Sequence, residues 1–318
     1  MNLKGKIYVG NAIDTIQQIP DKSVQTVVTS PPYWGLRDYG NDDQLGLEAN
    51  PDDFIENLCK VFDEVWRVLK DDGTMWVNLG DSYAAMRDSK ASPDTLRNGD
   101  GTKVSSAANR NPANLKAAGL KHKDLVGIPW RFAFAMQKRG WYLRQDIIWS
   151  KPNPMPESVR DRCTKSHEYI FLLTKNAKYY YDNEAIKEDS IWAGDSRAGQ
   201  GRLHYGGKRQ GQEGTGQENF VSITDKRNKR SVWSVTTSRY KGAHFATYPC
   251  ELITPCILAG SAEGDTVLDP FSGSATTGEV SLLHNRNYIG LELNPDYAEL
   301  SEKRLVQSAG ILASIEIE

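Results

Sequence analysis

Two short runs hold residues whose types and order could do chemistry. The first is Asp269-Pro270-Phe271-Ser272-Gly273-Ser274-Ala275-Thr276-Thr277-Gly278. It follows the β-branched stretch that begins at Thr266, so it reads as a strand entering a tight small-residue turn and then a helix. Gly273 lets the backbone approach a ligand closely, and Gly278 permits close helix packing. Amides at that helix start favour an anionic group such as a carboxylate or phosphate. Roughly twenty residues on, Glu292 closes the next strand, where an acid suits a pair of ribose hydroxyls. A structural turn would explain the glycines as well. Turn, helix and spaced acid together describe a nucleoside cofactor site. The run is neither G-x-G-x-x-G nor G-x-x-x-x-G-K-S/T, which disfavours a dinucleotide or a nucleoside triphosphate.

The second run is Thr29-Ser30-Pro31-Pro32-Tyr33-Trp34. Two prolines force an extended chain and remove two amide donors, leaving carbonyls as acceptors. An aromatic ring follows at once. Acceptors beside a flat ring suit an amino group on a planar base: the ring stacks and the oxygens hold the NH2. The alternative is a Pro-Pro turn with an aromatic packing plug.

These runs need strand ends to carry them. Ile7–Val9 is a short strand candidate, and Val24–Thr29 is a buried strand. Residues 53–69 form an amphipathic helix with Phe54, Leu58, Val61, Phe62, Val65 and Leu69 on one face. Lys70-Asp71-Asp72-Gly73 reads as a turn before a strand at 74–79. A helix is expected at 129–139, strands at 142–149 and 168–174, and a helix near 248–258. A strand at 266–269, a helix at 275–284, a strand at 288–293 and a helix at 296–306 complete the alternation. Strands separated by helices imply a mostly parallel twisted sheet covered on both faces, an α/β fold. Ligands bind such sheets beyond the carboxyl ends of the strands.

The 318 residues carry a net charge of −2, which by itself gives no reason to suspect nucleic acid. The average hides an asymmetry. Residues 1–80 have a net charge of −6, residues 87–123 of +5 and residues 190–241 of +6. The basic segments are also irregular, with eight glycines between positions 194 and 216, so they read as long loops or an insert. A solvated loop is one reading; a grip on a phosphate backbone is the other. The four cysteines show no CxxC and no zinc spacing, so no metal is expected. No run approaches a membrane span, and no secretory signal opens the chain, so the cytoplasm is the expected compartment.

The paired motifs resemble those of S-adenosylmethionine-dependent DNA amino-methyltransferases, which methylate cytosine N4 or adenine N6. The SPPY run precedes the DPFSGSATTG run by 239 residues, an order that resembles the permuted beta class. Gly10-Asn11-Ala12-Ile13-Asp14 resembles the adenine-contacting motif, where members often carry Asp in place of Asn11. Residues 69–74 and 78–83 resemble the following strand and its loop. Asp146-Ile147-Ile148-Trp149-Ser150-Lys151-Pro152-Asn153-Pro154 resembles another family segment. His244-Phe245-Ala246-Thr247-Tyr248-Pro249 resembles the motif that closes over the methionine moiety. Ala275 stands where members often carry Gly, and it is small enough to leave binding intact. The resemblance spans the chain except residues 87–123 and 185–235.

The resemblance implies a Rossmann-like methyltransferase domain. Residues 1–184 are its catalytic part with a basic loop at 87–123, residues 185–240 a target-recognition insert, and residues 241–318 the cofactor-binding part. It implies S-adenosyl-L-methionine held by Asn11, Ala12, Phe245, Tyr248, Asp269, Pro270, Phe271, Ser272, Gly273, Thr276 and Glu292. Ser30, Pro31, Pro32 and Tyr33 would act on a base flipped from double-stranded DNA. The ring of Tyr33, rather than its hydroxyl, would do the stacking. Lys226, Arg227, Lys229 and Arg230 are the expected DNA contacts. Ser before Pro-Pro-Tyr is commoner among cytosine enzymes, so cytosine N4 is expected, with adenine N6 the alternative. No cysteine follows a proline in the manner of a cytosine carbon-5 nucleophile. A non-catalytic nucleic-acid-binding relative, or methylation of RNA or a protein amide, stays open. A cognate restriction endonuclease is a possible partner, and the chain would be a monomer or homodimer.

Overall fold

The computed structural model describes residues 3–35, 43–84, 116, 118–190, 193, 202–204, 220–222, 224–237, 248–309 and 313–318. The chain separates into two compact units, Met1–Tyr181 with Ser231–Glu318, and Asp182–Arg230.

In chain order the strands before the second unit are β1 (Leu3–Val9), β2 (Val24–Thr29), β3 (Leu69–Leu79), β4 (Tyr142–Ser150) and β5 (His167–Thr174). Within it lie β6 (Glu188–Asp189), β7 (Arg202–His204), β8 (Phe220–Ser222) and β9 (Lys226–Arg227). After it come β10 (Val232–Ser234), β11 (Thr266–Asp269), β12 (Asn287–Glu292) and β13 (Ala313–Ile317). The first unit holds a nine-stranded sheet ordered β10-β4-β5-β3-β2-β11-β12-β1-β13. β5 runs antiparallel to both of its neighbours, β3 and β4. The other pairings in this sheet are parallel. The amino end of β5 therefore shares a sheet edge with the carboxyl ends of β2, β3 and β4.

The helices are α1 (Ala12–Thr15), α2 (Pro51–Val68), α3 (Ile128–Lys138), α4 (Cys250–Gly260), α5 (Thr276–Leu283) and α6 (Pro295–Ala309). α2 starts where the Asn50 side chain accepts from the Asp52 and Asp53 amides, with Pro51 in the first turn. Its apolar stripe puts Phe54, Leu58, Phe62 and Val65 fully out of solvent. Each such side chain contributes about 1.5–3 kcal/mol on burial. Phe62 meets Phe132 of α3 and Phe271 of the turn after β11 at centroid separations of 5.2 and 6.2 Å. The helix that builds the core thus also backs the first chemical run.

Three features depart from the sequence expectations. The expected turn at 70–73 lies inside β3, which runs without a break from Leu69 to Leu79. Its pairing with β2 shifts register between Val24 and Thr26. The acidic pair that mimics a turn is exposed, and Asp71 meets Lys22 at 2.7 Å. β13 pairs with β1 beyond the last expected helix. β10 lies inside the range expected for the insert, yet it extends the main sheet beside β4. Its buried Trp233 explains the pairing, and only its short length hid it among basic residues. In the second unit, β6 pairs with β9 and β7 with β8, both antiparallel. The basic loop at 87–123 lies largely outside the described residues. Among the described residues no helix is long and apolar enough to cross a membrane.

Candidate active site

A cleft of about 380 Å³ opens where β2, β11 and β12 end. Its wall joins both chemical runs: Ser30, Pro31, Pro32 and Tyr33 on one side, and Asp269, Pro270, Phe271, Ser272, Gly273 and Thr276 on the other. Asn11, Ala12, Tyr248 and Glu292 line it too. Phe245 lies outside the described residues. Parallel pairing of β2 with β11, Thr26 opposite Val267, brings the two distant runs side by side.

Glu292 closes β12 with its carboxylate turned into the cleft wall. One oxygen accepts from the Gly273 amide at 2.7 Å, the other from the Asn294 amide at 2.9 Å. Burial pushes its carboxyl up to about 7, against the pull of those amides. The Leu293 amide also bonds this carboxylate, which leaves about one lone pair for a further donor. The turn before α5 differs from expectation in one respect. The amides of Phe271, Ser272, Gly273 and Ala275 bond within the protein, to Asp269, Leu291, Glu292 and Ser272. The turn therefore shapes the wall and pins Glu292 more than it offers amides to an anion. Gly273 has φ +52°, and only the Phe271 carbonyl comes within 4 Å of where its Cβ would stand. Ala275 adopts the left-handed region too, at φ 53°. That conformation accounts for glycine as the natural occupant of the position.

Asp269 is buried and saturated. One carboxylate oxygen accepts from the Thr29 hydroxyl at 2.6 Å and the Phe271 amide at 3.0 Å. The other accepts from Thr277 at 2.8 Å and from the Tyr248 hydroxyl at 3.3 Å. Burial raises its carboxyl above the ordinary aspartate value, opposed by these donors. Asn11 caps α1 by accepting from the Ile13 amide at 2.9 Å. Its side-chain amide nitrogen is the part that remains to face a ligand.

The Tyr33 hydroxyl donates to Glu168 at the amino end of β5, at 2.6 Å. The second Glu168 oxygen holds the Lys151 ammonium. Burial first, then the Glu168 carboxylate, pushes the Tyr33 hydroxyl well above the ordinary phenol value. Hydrogen bonds from the Ser30 side chain and the Gly80 backbone act the other way. Sequence reasoning missed Glu168, because it looked only at the carboxyl ends of strands. It also missed Thr29, Thr277 and Asn294, whose roles exist only through contacts made in the fold. Lys151 fell within a family-like segment, without a role.

In the second unit, Arg227 and Arg230 meet Glu188 at 2.9 and 2.8 Å, and Lys226 meets Asp189 at 2.5 Å. Lys229 lies between them in the chain. Among the described residues no cluster of His, Cys, Asp and Glu could hold a metal ion.

The chain is similar to known proteins over most of its length. A family model described as DNA methylase matches residues 24–303. The chain is 47% identical over 305 residues to the Type II methyltransferase M.Cfr9I of Citrobacter freundii, covering 94% of this chain and 87% of that one. It is 47% identical over 302 residues to the Type II methyltransferase M.SmaI of Serratia marcescens, covering 95% and 91%. Among solved structures, the fold matches that of PvuII DNA methyltransferase, cytosine-N4-specific, with a TM-score of 0.62 at 18% identity, covering 96% of this chain and 87% of that one. It also matches a Thermus thermophilus protein described as a DNA modification methylase, complexed with S-adenosyl-L-methionine. There the TM-score is 0.59 at 21% identity, and 99% of each chain is covered.

Proposed function

This chain belongs to the N6/N4 DNA methylase family, and from that premise we propose that it methylates the exocyclic N4 amine of cytosine at specific DNA sites. Membership makes it a DNA methyltransferase dependent on S-adenosyl-L-methionine, of the kind found in restriction–modification. The cleft fits that cofactor. A buried carboxylate with a lone pair still open suits a ribose hydroxyl, and the open space at Gly273 admits close approach. When bound, the cofactor supplies its methyl as an electrophilic sulfonium substituent.

The observation that carries the proposal is that the Ser-Pro-Pro-Tyr run and Glu292 line one cleft. The remaining roles belong to the protein. Tyr33 offers its ring to the base extruded from the duplex. Pro31, lacking an amide hydrogen, and Pro32 keep the strand end extended, so the Pro31 carbonyl and Ser30 accept from the amine. Holding both amine hydrogens orients the nitrogen lone pair for in-line attack, so positioning supplies most of the rate. Asn11, Ala12 and Phe245 complete the cofactor side of this reading, with Tyr248 presenting its ring. Ser30 favours cytosine by the resemblance described above.

The proposal extends to the second unit, where Lys226, Arg227, Lys229 and Arg230 meet DNA. Their acidic partners are exposed or at the surface of short strands, so phosphates compete for these cations at little cost. It extends also to a cognate restriction endonuclease as partner, in keeping with the Type II relatives, and to action in the cytoplasm.

Product analysis of unmethylated DNA treated with the protein and labelled cofactor tests the reading. N4-methylcytosine is expected. N6-methyladenine would keep the amine chemistry and overturn the choice of base; 5-methylcytosine would overturn both. Ser30→Ala is expected to slow transfer more than it weakens DNA binding, because the lost bond matters at the transition state.

A further inference from the structure

We infer that Glu168 and Lys151 are positioning residues for methyl transfer, acting through the Tyr33 hydroxyl on both the plane of its ring and the hydrogen-bond polarity of Ser30. The inference rests on the reading of Tyr33 as the stacking surface for the base.

Four strand ends converge on this one ring. Tyr33 follows β2, and Gly80 follows β3. A Cβ on Gly80 would stand 2.6 Å from the Tyr33 Cε2 atom, so backbone closes against the ring at that point. Glu168 comes from the start of β5 and takes the hydroxyl proton at 2.6 Å. Lys151 follows β4, pairs with the same carboxylate, and lies 4.1 Å from the centroid of the Trp149 ring. A tyrosine ring is otherwise free to turn about its two side-chain torsions. With the hydroxyl pinned and one flank closed by Gly80, the ring keeps one plane, and stacking needs one plane.

Polarity follows from counting protons. The single hydroxyl proton of Tyr33 points to Glu168, so its oxygen has only lone pairs for Ser30 and for the Gly80 amide. The Ser30 proton then turns toward Tyr33, and its own lone pairs are left for an amine donor. Losing the carboxylate frees the tyrosine proton to turn toward Asn78 Oδ1, 3.4 Å away, or toward Ser30, and the second turn would aim the serine proton at the amine. The ion pair is largely buried, at 18% and 13% side-chain exposure. Burial of such a pair is weak evidence for a stabilising role.

The test uses single-turnover transfer from tritiated S-adenosyl-L-methionine to unmethylated bacterial genomic DNA. Cofactor affinity, DNA affinity and thermal midpoint are measured alongside. Tyr33→Phe and Glu168→Gln are each expected to slow transfer by about ten- to a hundredfold, the loss of one hydrogen bond to a charged group. Both binding affinities should stay within about threefold of the parent. Because both changes remove the charge-assisted bond between these two side chains, the double variant should fall within about threefold of the slower single. Lys151→Met should slow transfer, and Lys151→Arg should restore most of it. If Glu168→Gln fails to fold, Tyr33→Phe and the charge-neutral pair Glu168→Gln/Lys151→Met carry the test. Additive losses, or near-parental rates in folded Tyr33→Phe, would overturn the inference. Tyr33→Ala separates the two readings. A near-parental rate in that variant sinks the stacking role itself. A slow Tyr33→Ala beside a fast Tyr33→Phe sinks only the positioning role.

Discussion

Glu292 shows how one side chain can serve binding at the expense of stability. Its folded value near 7 lies above the ordinary glutamate value of 4.5. A raised acid contributes stability that is complete below about 4.5 and is lost as pH rises through about 7. Cofactor affinity should run the opposite way, because ribose hydroxyls donate to the ionised carboxylate and binding below 7 must first displace a proton. Calorimetry should find affinity about tenfold weaker at pH 6 than at pH 8, and flat across that range in Glu292→Gln. A pH-independent affinity in the parent would remove Glu292 from the ribose contact. Gly273 offers a second residue-scale test. Its left-handed backbone makes Gly273→Ala cost about 1–2 kcal/mol of stability. Few protein atoms obstruct the new methyl. Cofactor binding should suffer more than stability, since the added carbon sits in the cleft wall. Equal affinity in the alanine variant would move the cofactor away from this turn.

Asp269 belongs to the scale of elements. Its carboxylate gathers Thr29 from β2, the Phe271 amide beyond β11, Thr277 from α5, and Tyr248 from the approach to α4. It was expected as a cofactor contact. The structure places it on the cleft wall with each oxygen already accepting twice, which suits a hub that holds the two chemical runs in register. Asp269→Ala leaves several buried donors unmatched and should cost about 3–5 kcal/mol in denaturant unfolding. Asp269→Asn keeps the shape, and rotatable hydroxyls can reverse to meet its amide, so it should cost markedly less. Equal losses in the two would mean that volume, and not hydrogen bonding, is what the site requires. The antiparallel β5 acts on the same scale, since it delivers Glu168 to an edge otherwise built from carboxyl ends.

At the scale of the whole molecule, the charge asymmetry between segments has a structural counterpart in the unit Asp182–Arg230. Among its described residues, Lys226, Arg227 and Arg230 are held by Asp189 and Glu188, which balances these three until a phosphate competes. Replacing Lys226 and Lys229 by Gln should lower the slope of log affinity against log salt by about one unit per lost phosphate contact. Glu188→Gln should act in reverse, raising DNA affinity at low salt and steepening the slope, because two arginines lose their carboxylate. Unchanged slopes in both variants would show that these cations do not meet the DNA backbone.

Much of this is legible in the sequence. Val24–Thr29 and Thr266–Asp269 stand out as strands with the expected bounds, because buried parallel strands are continuous β-branched runs whose pattern is local. The two chemical runs are legible for the same reason: each needs particular residue types at fixed short spacing. What local pattern could not show is pairing. The reading of 70–73 as a turn failed because Asp-Asp-Gly chemistry is ambiguous until a neighbouring strand takes up the bulge. β10 spans only three residues and β13 has no fully buried position, so neither announces itself without the sheet edge that it extends. Glu168 and Lys151 carry no signal in their own neighbourhoods, because their bearing on Tyr33 depends on the reversed direction of one strand. Sequence by itself determined the chemistry on offer, since that resides in residue types and spacing. Only the tertiary structure decided which side chains hold that chemistry in place, since that depends on which distant strand ends share an edge.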